Sequence, residues 1–147
     1  MTLASEKPIA AEHLATVTPQ QWRAFFGAFA KAQGLEPGKM LGGDVVERDG
    51  RQVIMMPFFA MAKEWITWEE EFYNQNIFCP VDWTSWREEI HKDWRPSDAT
   101  EAAMSLVLFI RRNRFCEGAL ASDIYAGRVH YSMKLLIEAY GSLAGAG

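Results

Sequence analysis

The chain has 147 residues, of which 49% are hydrophobic and 13% aromatic, and its net charge is −4. This length suits one domain, and the composition excludes a disordered chain because it supplies enough apolar surface for a core. An acidic balance disfavours direct binding of nucleic acid. Apolar runs such as Val53 to Ala62 are short, whereas a membrane span needs about 20 residues. The N-terminus lacks the apolar core of a signal peptide, so we expect a cytoplasmic protein without a membrane segment.

Residues 1–17 show no clear periodicity and are predicted to be a flexible N-terminal arm. A single globular domain is predicted over 18–140. Its first helix starts with Thr18 as N-cap and Pro19 in the first helical position. Aromatic residues then recur at helical spacing and predict a buried stripe: Trp22, Phe25, Phe26 and Phe29.

A β-hairpin is predicted around Asp49 and Gly50, because a two-residue turn of this type needs positive φ at both central positions. This register places Val45 opposite Ile54 and Val46 opposite Val53. The second strand is apolar at consecutive positions, which indicates that both of its faces are covered. Pairing is expected to change at Pro57, which has no N–H to donate.

The second half of the chain is predicted to be helical. We expect helices over 63–75, from Ser85 onward, from Ser97 or Asp98 to Asn113, from there to Gly127, and over 128–140. The start at Ser85 is indicated by a capping-box pattern with Glu88. Apolar residues at helical spacing predict a stripe on the first of these helices: Met61, Trp65, Trp68 and Phe72. Residues 141–147 are predicted to be a flexible tail. The fold class is therefore mainly α with one β-hairpin (α+β), in a single compact domain of about five to six helices.

The segment around Cys116 is the one place where the sequence suggests chemistry. If Asn113 caps a helix, Cys116 lies in its first turn, where the helix N-terminus and Arg114 favour a thiolate. Cys116 also lies four residues before Leu120, on the apolar stripe, so we predict a buried structural cysteine. Arg114 and Glu117 are expected either to pair along the helix or to edge a site.

Three segments of the sequence stand out as motifs: Met56-Pro57-Phe58-Phe59, Val81-Asp82-Trp83 and Arg114-Phe115-Cys116-Glu117-Gly118. These motifs resemble those of the domain of unknown function 6508 family. The sequence departs from the family pattern at Ala119, where histidine is expected, and at Val81, where an aromatic residue is expected. The resemblance brings no assigned activity, and it directs attention to candidate binding residues: Asp82, Trp83, Trp86, Arg114 and Glu117.

No metal site or cofactor is expected. His13, His91 and His130 lack the spacing of a ligand set, and the chain has no glycine-rich phosphate loop.

We favour a small protein-interaction module over an enzyme. Residues 63–101 hold ten acids against four bases, and five tryptophans lie between Trp65 and Trp94. Partly exposed tryptophans and an acidic surface suit a protein partner, and a homodimer is also open. The candidate acidic interface comprises Glu69, Glu70, Glu71, Glu88 and Glu89. One specific form is an inhibitor encoded by a phage or mobile element that meets a basic target.

The alternative is a small-molecule-binding protein or enzyme with a pocket near Asp82, Arg114 and Glu117. A carboxylate there would act as acid or base, Arg114 would hold an anion, and Trp83 or Trp86 would stack on the ligand.

Overall fold

The computed structural model describes residues 2–146 and is mainly α-helical, with one region of paired strands. The predicted α+β class is confirmed. The helices are α1 (Leu3–Leu14), α2 (Pro19–Ala32), α3 (Lys63–Asn74), α4 (Ala99–Asn113), α5 (Ala119–Tyr125) and α6 (Arg128–Ala146). The strands are β1 (Gly38–Leu41), β2 (Val45–Arg48), β3 (Arg51–Ile54) and β4 (Phe58–Met61).

Helix α4 is the centre of the core. Every residue from Ala102 to Ile110 is buried, as expected for a helix that is covered on all sides. Helices α1, α5 and α6 all pack on it. Its N-cap is Asp98, whose side chain accepts the backbone N–H of Glu101 at 2.9 Å, so the predicted start of this helix is confirmed.

An aromatic layer joins α2, α3 and α6. The predicted cap at Thr18 is confirmed by a capping box with Gln21. Phe25 of α2 stacks on Trp68 of α3 with ring centroids 5.8 Å apart, and Trp22 stacks on Tyr140 at 4.2 Å. Most of the predicted apolar stripes of α2 and α3 are buried, at Trp22, Phe25, Phe29, Trp65, Trp68 and Phe72. Phe26 and Met61, which the spacing placed on the same stripes, are half-buried.

The N-terminal segment differs from the predicted flexible arm, because residues 3–14 form α1. Thr2 and Ser5 form a capping box at its start. Lys7 pairs with Asp98 at 2.6 Å and with Glu101 at 2.9 Å, which ties α1 to the beginning of α4. Apolar periodicity does not reveal α1 because only two of its buried positions, Leu3 and Leu14, are large and apolar, the others being Glu6 and Ala10.

These ion pairs shift the titration of all three groups. The hydrogen bond to Asp98 and then that to Glu101 raise the pKa of Lys7 above its ordinary value. Burial works to raise the pKa of both carboxyls. Hydrogen bonds from backbone N–H groups and from Lys7 outweigh burial, so the pKa values of Asp98 and Glu101 are lowered. The packing of α1 on α4 is therefore stabilised by electrostatic as well as apolar contacts.

The C-terminal segment also differs from the prediction, since α6 continues through the predicted tail to Ala146. Ala144 is buried, and its carbonyl oxygen accepts two hydrogen bonds from the Arg23 guanidinium, at 3.0 and 2.9 Å. This cross-helix contact keeps the last turns of α6 against α2. Met1 and Gly147, the outermost residues of the two predicted flexible segments, lie outside the described range.

The helix predicted to start at Ser85 is not an α-helix. Two 3-10 turns, Trp83–Ser85 and Arg87–Glu89, occupy this stretch. Asp82 caps the first turn by accepting the backbone N–H of Thr84 at 3.2 Å and its hydroxyl at 2.6 Å. The capping-box pattern at Ser85 is overridden because the Ser85 hydroxyl donates instead to the carbonyl of Asp82.

Candidate functional site

Strands β1 to β4 form a long antiparallel hairpin with two paired segments, which we call the β-arm (residues 38–61). β1 pairs with β4, and β2 pairs with β3. Both pairs have the same register, so the second pair continues the alignment of the first. Between them, the Gly43 N–H donates to the Met55 carbonyl at 2.6 Å and the Met55 N–H donates to the Asp44 carbonyl at 2.8 Å. The predicted register of the hairpin is confirmed, and the hairpin is longer than the sequence indicated.

Two backbone positions allow the β-arm to form. Asp49 and Gly50 both have positive φ, 50° and 74°, as the predicted turn requires. Gly42 also has positive φ, and a Cβ there would clash with the carbonyl oxygen of Met56. Only glycine fits this close approach, beside the interruption in pairing at Pro57.

Strand β3 is exposed at every position, so the prediction that both faces of the second hairpin strand are covered is wrong. At the base of the β-arm, Met61 is half-buried and packs against the core. No residue from Gly38 to Glu64 is buried. Ile54 is 66% exposed and Met56 is 78% exposed. The exposed large apolar side chains of the arm are Met40, Leu41, Val45, Val53, Ile54, Met56 and Phe58.

The register places four of these side chains in facing pairs. Val45 lies opposite Ile54, and Leu41 lies opposite Phe58, and direct partners project from the same face of a ribbon. The arm carries three acids and three bases, so it has no net charge. The β-arm therefore combines exposed apolar side chains with a net charge of zero, unlike the acidic segment at 63–101.

The loop 114–118, between α4 and α5, holds the base of the β-arm. Glu117 accepts the backbone N–H of Phe59 at 2.7 Å through Oε1. Of the two alternatives for Arg114 and Glu117, the ion pair is not formed among the described residues. The guanidinium carbon of Arg114 lies 5.5 Å from the centroid of the Tyr73 ring. Burial raises the pKa of Glu69 on α3, and the nearby positive charge of Arg114 partly offsets that rise.

Cys116 is exposed, so the prediction of a buried cysteine is wrong. The N-cap residue of α5 is Gly118 and not Asn113 as predicted; the Asn113 side chain instead reaches across the loop to accept the N–H of Leu120 at 3.1 Å. Cys116 consequently lies in the loop and not in the first turn. The other cysteine, Cys79, is buried, and burial raises the pKa of its thiol to about 12.

The five candidate binding residues do not share one pocket. Asp82 caps a 3-10 turn, Glu117 holds the β-arm, and Trp86 is buried in the core. Trp83 does line a surface cleft of about 380 Å³, together with Arg87, Arg112 and Phe115. Phe115 is 76% exposed, and its ring centroid lies 6.1 Å from that of Trp83.

Three of the five acids of the candidate acidic interface have partners inside the molecule. Glu69 interacts electrostatically with Arg114. Glu71 accepts hydrogen bonds from the side chains of Asn74 and Gln75. Glu89 accepts the backbone N–H of Leu3 at 2.8 Å. Glu70 and Glu88 are exposed.

Sequence analysis missed a buried carboxylate. Asp123 of α5 is 1% exposed and accepts hydrogen bonds from two arginines, from Arg112 at 2.8 Å and from Arg128 at 3.0 Å. The position of Asp123 in the sequence could have indicated its burial. It lies three residues after Leu120 and one before Ile124, on the apolar side of a short helix. A carboxylate at such a position needs a cationic partner.

Within residues 2–146, no cluster of histidine, cysteine and acidic side chains could hold a metal ion. No helix in the same range is both long and apolar enough to cross a bilayer.

Comparison with known proteins identifies a family and nothing more specific. No curated protein and no solved structure matches the chain. A family model described as "Family of unknown function (DUF6508)" matches residues 17–141, a range that includes the β-arm, the 114–118 loop and Asp123. The chain therefore belongs to the DUF6508 family.

Proposed function

We propose that this protein is a protein-interaction module whose docking surface is the β-arm. The observation that supports this proposal is the stretch from Gly38 to Glu64, which has no buried residue although it carries seven exposed large apolar side chains. A two-stranded ribbon is only marginally stable in water without further packing. Contiguous exposed apolar surface of this kind is typical of interaction sites.

The partner that suits this surface is a protein that offers an apolar groove or an extended apolar segment. The ribbon is about 35 Å long, from the rise of about 3.3 Å per residue along a strand. Its outer edges also present unpaired backbone groups that can pair with another strand. Because the arm is neutral, we expect binding to respond weakly to salt.

The surface proposed here differs from the tryptophan-rich one expected from the sequence. Trp65, Trp68 and Trp86 belong to the core. The narrower proposal, an acidic inhibitor encoded by a phage or mobile element, is supported by the charge excess of 63–101 and the exposure of Glu70 and Glu88. A cytoplasmic location is supported by two free cysteines, one of them exposed, which suit a reducing compartment.

The test compares two variants in affinity capture from a lysate of the source cells, with quantitative mass spectrometry. The first, V45T/I54T, removes an exposed cross-strand apolar pair and keeps β-branched side chains that suit a strand. The matched control, Ile66→Gln, changes an exposed apolar residue of α3 that lies outside the arm. We expect a stoichiometric partner to be lost with the first variant and kept with the second.

The salt dependence of binding distinguishes docking through the β-arm from docking through the acidic surface. Binding through the arm should persist between about 50 and 500 mM salt, whereas binding through exposed charges is screened over that range. Equal capture by V45T/I54T and the unmodified protein would refute the arm as the docking surface. Light scattering reports whether the partner is a second copy of the chain.

The alternative function, a ligand-binding protein or enzyme near Asp82, Arg114 and Glu117, is less well supported. Each of these side chains already has a structural contact, with Thr84, Tyr73 and the backbone of Phe59, respectively.

A further inference from the structure

A small cavity next to Asp123 concentrates positive charge in an otherwise acidic chain. The cavity has a volume of about 130 Å³, and the ionisable side chains that line it are His91, Lys92, Arg112, Asp123 and Arg128. Three of these, Lys92, Arg112 and Arg128, are basic and one, Asp123, is an acid. With His91 neutral, the lining has a net charge of +2, against −4 for the whole chain.

The two arginines retain unused hydrogen-bond donors. Each guanidinium has five N–H groups, and each gives a single bond to the Asp123 carboxylate. The Nε of Arg112 is buried and has no hydrogen-bond partner. Lys92 forms no ion pair within residues 2–146. Donors are therefore available beside the cavity that the protein itself does not satisfy.

The same contacts fix the arginines in place. Asp123 holds Arg112 of α4 and Arg128 of α6 from two sides, so their positions are set before any ligand arrives. Preorganised cationic donors of this kind bind oxyanions well, because little side-chain entropy remains to be lost. Arg128 is also the first residue of α6, and the partial positive charge of a helix N-terminus favours an anion there.

We propose that this cavity binds a phosphate group, with Lys92, Arg112 and Arg128 as its donors. The volume suits a group of this size, and the planar guanidinium fork matches phosphate oxygens. This site is independent of the β-arm, and its existence does not rest on the proposed interaction function.

The adjoining cleft indicates where the organic part of a phosphate monoester would lie. Arg112 lines both the cavity and the 380 Å³ cleft that holds Trp83 and Phe115. A flat ring attached to the phosphate can pack against these aromatic side chains while the phosphate stays at Arg112. Free phosphate and an aromatic phosphomonoester are therefore the two sources to distinguish.

The test is isothermal titration of the full chain at low ionic strength with inorganic phosphate and, separately, with phenyl phosphate. Lys92→Gln should weaken the binding of both by about fivefold, the loss of one exposed charge-assisted contact. Lys134→Gln is the matched control, because Lys134 is an exposed lysine of α6 that does not line the cavity. Both lysines are exposed, so neither variant removes a core contact.

A second pair of variants tests the cleft. Phe115→Ala should weaken phenyl phosphate and leave inorganic phosphate unchanged, whereas Tyr125→Ala, which removes another exposed aromatic ring, should change neither. Equal affinity for the two ligands in the unmodified protein would assign free phosphate as the source. Absence of binding at about 10 mM, beyond the weak end of specific affinities, or equal weakening by Lys92→Gln and Lys134→Gln, would overturn the proposal.

Discussion

Replacing Asp123 with asparagine should lower the free energy of unfolding by about 2–3 kcal/mol, because it leaves two guanidinium groups without their carboxylate. Asp123 is 1% exposed and lies between α4 and the start of α6. Asparagine has nearly the same shape, so the change removes the charge and one acceptor and creates little cavity.

The magnitude follows from the two hydrogen bonds. Each is charge-assisted and is worth about 1.5–3 kcal/mol. Asparagine keeps one acceptor oxygen, so one bond survives in weakened form while the amide donors face the other guanidinium. Solvent moderates the loss, because the side chains of Arg112 and Arg128 are 39% and 22% exposed. The expected loss in free energy of unfolding is therefore smaller than the cost of breaking a fully buried pair, which is about 3–5 kcal/mol.

Urea unfolding followed by circular dichroism measures this difference. Ser122→Ala is the control, since Ser122 is the exposed neighbour on the same helix and should change stability by less than about 0.5 kcal/mol. For a chain of this length, the predicted loss corresponds to a fall in Tm of about 5–10 °C.

A double-mutant cycle with Arg128→Met isolates the pair. A coupling of about 1–2 kcal/mol is expected between Asp123 and Arg128, which are in direct contact. If Asp123→Asn changes stability no more than Ser122→Ala does, or if the coupling is zero, Asp123 does not hold α4 and α6 together and the reasoning fails.

Three further predictions concern the loop, the N-terminal helix and the arm. Cys116 should react within seconds with a thiol reagent in the native protein and Cys79 only after unfolding, because one is exposed and the other is buried with a pKa of about 12; two fast thiols would contradict this. The pKa values of Asp98 and Glu101 are lowered from 3.8 and 4.5 in the folded protein. Their stabilisation of the α1 contact is therefore fully present at a pH above 3.8 and 4.5, and it is lost as the pH falls through the lowered pKa values. Limited proteolysis of α1 should thus accelerate in acid but not between pH 6 and 8. Glu117→Gln should speed hydrogen exchange in β1 and β4 while that of α4 is unchanged, since the charged acceptor of an arm N–H is weakened; unaltered exchange would show that the arm does not depend on this bond.

The elements that were predicted correctly are those whose signals are local. Thr18, followed by Pro19, and Asp98 each cap a helix through side-chain contacts within three residues. The hairpin register follows from two adjacent turn residues, Asp49 and Gly50. Such signals act over a few residues and do not depend on what packs above them.

The wrong predictions share a different cause. Apolar spacing identified a stripe through Cys116 but not the helix boundary, which depends on Asn113 reaching across the loop to Leu120. The consecutive apolar residues of β3 were interpreted as buried, although nothing in the described chain covers them. Periodicity states which side chains share a face, and burial of that face depends on another element being there.

The sequence by itself determined the α+β class, the aromatic stripes of α2 and α3, the turn at Asp49 and the family resemblance. All of these depend on residue type and short spacing. Only the tertiary structure decided that the β-arm stands uncovered, that α1 docks on α4 through Lys7, and that Arg112, Asp123 and Arg128 meet around one cavity. These residues belong to separate helices, and their approach depends on how the core packs. A buried charge needs a partner of opposite charge, and that partner is brought close by the packing of the helices and not by proximity in the sequence.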